Sequence, residues 1–126
     1  MGGLRTFLLA SLCLVAVGAH PLRAQTLPDP HHVATCTGRL SALMEHQFLF
    51  DGPASEETRR RRDALADILD AIAPAGAETR LMALRIEAKA AHAALLSQAA
   101  FGRDPGRLAA LRASRLIDQC AGFLLS

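Results

Sequence analysis

The sequence has no Trp and no Tyr, and its 5 Phe are its whole aromatic content, so a core built from it must be aliphatic. Glycine and proline number only 9 and 6, which excludes collagen-like and low-complexity organisation. No stretch alternates Val, Ile or Thr with polar residues, so strands are not supported. No Cys-x-x-Cys, His-x-x-x-His or Gly-x-Ser-x-Gly motif occurs, and no glycine-rich phosphate loop. The residues therefore point to no catalytic centre, no structural metal site and no cofactor, and the expectation is a protein that is not an enzyme. Haem is excluded as a covalent group because Cys120 is followed by Ala121-Gly122 rather than completing Cys-x-x-Cys-His. As an axial-ligand group it is disfavoured, because Met44 on the first helical segment has no His to match it on the last.

The N-terminus is organised for export. Met1 to Arg5 carry one positive side chain, and Thr6 to Ala19 form an apolar run too short for a permanent span. Cleavage after small residues fits at Ala19 and, better, at Ala24, where His20 to Ala24 supplies a polar approach. Residues 1–24 are read as a cleaved signal peptide and 25–126 as one helical domain without a stable membrane anchor. Thirteen of the 14 basic residues are Arg, and Ala and Leu are abundant, a composition typical of GC-rich bacterial genomes. The expected location is the periplasm.

Removing the signal removes Arg5 and Arg23 and leaves 12 basic against 12 acidic side chains. A neutral domain offers no electrostatic footprint for nucleic acid. Removing Cys13 as well leaves Cys36 and Cys120, an even count in an exported chain, and so one expected disulfide.

Punctuation divides the domain into four helical segments. Asp29-Pro30 opens the first, which runs to about Phe50 before Asp51-Gly52-Pro53. Ser55 is the expected cap of the second, which ends near Ala73. The third runs from about Ala77 to Phe101 and stops at Gly102; Asp104-Pro105 opens the fourth, expected to continue almost to Ser126. At about 100° per residue the inward faces are Val33, Cys36, Leu40, Leu43, Met44 and Phe50; Leu65, Ile68, Leu69 and Ile72; Leu81, Leu84, Ala88, Ala91, Leu95 and Ala99; and Ala109, Ala113, Leu116, Ile117, Cys120 and Leu124. Short loops between long helices favour antiparallel neighbours. The expected fold is all-α, an up-down-up-down antiparallel four-helix bundle stapled by Cys36–Cys120.

Three features are candidates for function. His92 lies near the apolar face of the third helix, and Gln47 and Met44 lie at a similar height on the first, an arrangement for a buried polar pair or a ligand site. Met82 and Ile86, with Leu108 and Leu111, lie off the inward stripes and are the expected contact surface for a protein partner or a second copy. Arg59 to Arg62 wrap a full turn and are expected as a solvated face, with Glu56–Arg60, Glu57–Arg61 and Arg59–Asp63 as supporting pairs. Together these describe a small exported binding or structural module of the bacterial cell envelope, acting through protein contact. The alternative is a periplasmic protein that binds a metal or small ligand with His92 and its neighbours. The resemblance to bacterial periplasmic helical bundles is one of architecture, which does not carry function with it.

Overall fold

The computed structural model describes residues 26–123. These form four α-helices and, among the described residues, no strand: α1 (Pro30–Phe48), α2 (Gly52–Ile72), α3 (Glu78–Phe101) and α4 (Asp104–Ala121). The all-α fold is present, and Cys36 and Cys120 are joined with their Cα atoms 5.5 Å apart. A disulfide of this kind marks an oxidising, exported environment. No helix among the described residues is long and apolar enough to cross a membrane. The signal segment 1–24, and Leu124 of the expected inward stripe, lie outside the described residues.

Local chemistry explains where each helix begins and ends. Asp29 caps α1, its carboxylate accepting from the backbone N–H of His31, with Pro30 at the first position. Asp51, not Ser55, caps α2: its carboxylate accepts from the Ala54 N–H at 3.0 Å. Gly52-Pro53 therefore opens that helix instead of breaking the chain before it, because proline's missing N–H is no loss in a first turn. The Ser55 hydroxyl is used elsewhere, donating to the Met44 carbonyl of α1. Between α2 and α3, the Ala77 N–H donates to the Pro74 carbonyl across a tight turn. Gly76 takes the left-handed conformation (φ 82°) that this turn requires. Asp104 lies in the first turn of α4 and makes no cap hydrogen bond, and α4 ends at Ala121, earlier than its apolar pattern indicates.

The contacts set direction. Met44 of α1 meets Arg62 of α2 while Gln47, farther along, meets Thr58, and Cys36 and Arg39 meet Cys120 and Leu116 of α4, so both neighbours run antiparallel to α1. Along α3, Gly38 rests at Arg85 and Ala88 while Leu49 shares a groove with Phe101, so α1 and α3 run parallel. The helices do not occupy the corners of a square. α1 is the central element, packed on α2, α3 and α4, whereas the α2 backbone approaches α1 alone. At Gly38 the missing side chain lets α1 lie directly on the α3 backbone.

The core is densest at the disulfide end, where Val33, Ala34, Cys36, Leu40, Leu65, Leu69, Leu81 and Cys120 form one buried cluster. Each fully buried leucine contributes about 2 kcal/mol of apolar transfer there. Towards the opposite end the core thins to Ala42, Leu96 and Ala113, flanked by Leu43 and Leu95. Two expected inward residues are exposed. Phe50 lies beyond the end of α1, and Ala91 faces outward because α3 is rotated so that His92 and Leu96 point inward.

Candidate functional site

His92 is the centre of the site. Its side chain is 1% exposed, and neither ring nitrogen has a hydrogen-bond partner among the described residues. Leaving a buried donor or acceptor unpaired costs about 1–3 kcal/mol, so this arrangement needs a reason. Burial, reinforced by the Arg39 guanidinium of α1, holds the imidazole pKa below the usual histidine value. A neutral imidazole offers one N–H donor and one bare nitrogen acceptor.

His92 borders a cavity of about 300 Å³ between α3 and α4. Leu43 of α1, Leu96 and Ala99 of α3, and Ala113 and Ile117 of α4 make its walls almost wholly apolar. Its width follows from sequence: the short side chains of Ala99, Ala110 and Ala113 leave space where longer residues would interdigitate. Ser114 and Asp118 are exposed and supply the polar rim, so His92 is the one buried polar residue in the lining.

The expected grouping of Met44, Gln47 and His92 is not the one found. The Oε1 of Gln47 accepts a 2.6 Å hydrogen bond from the Thr58 hydroxyl of α2. The Met44 sulfur lies 3.7 Å from an Arg62 nitrogen, also on α2. Both residues share the height of His92 but occupy the α2-facing side of α1, while His92 borders a cavity closed by α4. Helical spacing places residues along an axis; which neighbour occupies each side of that axis is a tertiary matter. Leu43, one residue from Met44, is the α1 residue that reaches His92's cavity.

The candidate contact residues Met82, Ile86, Leu108 and Leu111 are all 50–70% exposed. They do not share a height. Met82 and Ile86 lie early in α3 and Leu108 and Leu111 early in α4, and these helices run antiparallel, as Gly106 against Gln98 and Ile117 beside the cavity of His92 show. The more exposed apolar residues lie elsewhere, with Leu49 and Phe101 on one groove and Phe48 on another beside Ser55 and Arg59. Phe48, Leu49, Phe50 and Phe101 are 71–82% exposed where the end of α1 and the end of α3 come together. The Phe50 ring sits 5.2 Å from the His46 ring. The run Phe48-Leu49-Phe50 was itself the signal, since three consecutive side chains cannot all face one core.

Of the arginine run, Arg59 and Arg60 are solvated, whereas Arg62 is half-buried against Met44 of α1, and the pairs differ from those expected. Arg59 binds Glu56 and Arg60 binds Glu57, each three residues back. Among the described residues no three His, Cys, Asp or Glu side chains come together as a metal-binding group.

No protein family, curated protein or solved structure matches the chain.

Proposed function

We propose that this chain is a small exported, non-enzymatic helical module of the bacterial cell envelope, working in the periplasm through contact with another protein. The observation that carries this reading is the apolar end formed by Phe48, Leu49, Phe50 and Phe101. Isolated exposed hydrophobics are ordinary, but four large ones gathered at one end of a small domain mark a contact surface. The placement concentrates three of the sequence's 5 Phe at this end and leaves the opposite, disulfide-linked end as the stable base. The balanced charge of the domain fits a partner surface that is itself largely apolar, and offers nothing to attract nucleic acid. The unpaired ring nitrogens of His92 favour a second reading, in which the module also holds a small ligand.

The test is site-specific photo-crosslinking in the cell envelope, with the crosslinker at Phe50 or Phe101 and, as control, at Arg80 near the opposite end. A discrete adduct from the two Phe positions and none from Arg80 is expected, and its mass distinguishes a second copy from another protein. Equal adducts at all three positions, or none from the Phe positions, overturn the reading.

A further inference from the structure

We propose that the cleft between α3 and α4 is a binding site for a small, uncharged hydrocarbon bearing one hydroxyl, of the alkylphenol class, whose hydroxyl pairs with His92. This site is separate from the apolar end and does not depend on its function. Three observations converge on it. His92 is buried with both ring nitrogens unpaired, and it is the one buried polar group lining the cavity. The cavity is about 300 Å³, enough for a substituted ring, and Leu43, Leu96 and Ile117 give it the apolar walls that small-molecule sites share. Alanines at three lining positions keep that space open where the same helices elsewhere use leucine.

The ligand class follows from the wall chemistry. A charged headgroup carried into an apolar cleft loses its hydration without an opposite charge to replace it. Asp118 at the rim repels carboxylates and phosphates in particular. A hydroxyl matches a neutral imidazole in either direction, accepting from the N–H or donating to the bare nitrogen. A metal ion is a poor fit, because His92 has no companion His, Cys, Asp or Glu cluster among the described residues. Both nitrogens are covered as the ring now sits, so binding turns the imidazole towards the cavity and gives one nitrogen the partner it lacks.

The test uses the disulfide-intact protein, ¹⁵N-labelled, titrated with 4-ethylphenol and with ethylbenzene as probes. Calorimetry is expected to show saturable binding of 4-ethylphenol about tenfold tighter than that of ethylbenzene, the worth of one well-made hydrogen bond. The ring nitrogen resonances of His92 shift on binding while those of His31, His32 and His46 stay in place. His92→Leu, a change of similar volume, removes the preference for the hydroxyl and retains ethylbenzene binding. Ala110→Phe, at an exposed lining position, blocks both probes while leaving the circular dichroism spectrum unchanged. Absence of saturable binding, equal affinity for the two probes, or His92 resonances that do not move overturns the proposal.

Discussion

Gly38 of α1 rests directly on the Arg85 carbonyl of α3. A Cβ at Gly38 would collide with that backbone oxygen and would also lie 3.1 Å from the Ala88 Cβ. This contact sets how closely α1 and α3 approach, and it gives a substitution whose sign is informative. In an unobstructed helix, alanine is better than glycine by about 1 kcal/mol. Here, overpacking against backbone costs about 1–3 kcal/mol and outweighs that gain. Gly38→Ala is expected to lower the denaturation midpoint, whereas Gly52→Ala, with nothing within 4 Å, is expected to leave it unchanged or raise it. A stabilised Gly38→Ala variant would show that the two helices are farther apart.

The Cys36–Cys120 bridge closes a loop across 84 positions and ties the two terminal helices of the described domain together. The chain-entropy description assigns such a loop about 4.5 kcal/mol, and native bridges in small exported domains are typically worth 2–5 kcal/mol. Out of a total of about 5–15 kcal/mol, that is a large share. Cys36→Ala/Cys120→Ala is expected to retain helical circular dichroism at low temperature but to melt well below the parent. Urea melts of the parent with and without reductant should show the same difference, and coincident curves would contradict it.

His92 predicts both a mutational and a pH effect. Replacing it with Leu removes two unpaired buried nitrogens at similar volume, so stability at neutral pH should rise, by about 1–3 kcal/mol. The sign of the pH effect follows from the lowered pKa. The unfolded chain takes up a proton near pH 6.5, while the folded imidazole resists it until lower pH. The stabilisation from the neutral form is therefore complete above about pH 6.5 and is lost as pH falls through the lowered folded value. Arg39 from α1 adds to this resistance. His92→Leu should flatten the acid limb of a stability profile between pH 7 and pH 5. The lowered Asp29 carboxylate acts only below its ordinary value of 3.8, outside this window. A variant with an unchanged acid limb would assign that limb to other groups.

The Gln47–Thr58 hydrogen bond makes Gln47 and His92 energetically independent. Gln47→Ala is expected to cost about 1 kcal/mol through loss of its bond to Thr58. Combined with His92→Leu, the two effects should add to within about 0.5 kcal/mol. A coupling larger than about 1 kcal/mol in a double-mutant cycle would restore the polar pair that helical heights alone suggest.

How far the candidate site could be read in advance depended on the helix that carries each residue. His92 was picked out because it is a lone titratable residue in an alanine- and leucine-rich segment, and it is indeed buried. Its surroundings were not legible. α3 is apolar nearly all round, with Met82, Ile86 and Ala90 off its main stripe, so its periodicity gives little indication of which way it turns. A rotation of one residue exchanges Ala91 for His92 at the interior. Phe50 is exposed for a related reason, since an apolar residue near a helix terminus continues the stripe on paper even after the helix has ended at Phe48.

The number of helices, the approximate places of their turns and the pairing of Cys36 with Cys120 were legible in the sequence alone, while the Asp51 cap that draws Gly52-Pro53 into α2 was not. The legible features rest on short-range causes: Asp-Pro and glycine punctuation, 3.6-residue periodicity, and the one pairing open to the two cysteines of the helical segments. The tertiary structure alone decided that α1 is central, that Gln47 belongs to Thr58, and that His92 borders an apolar cavity with no hydrogen-bond partner. Those outcomes depend on how close two backbones can approach. One missing side chain, at Gly38, lets α1 settle onto α3 and so sets which neighbours the other residues of both helices meet.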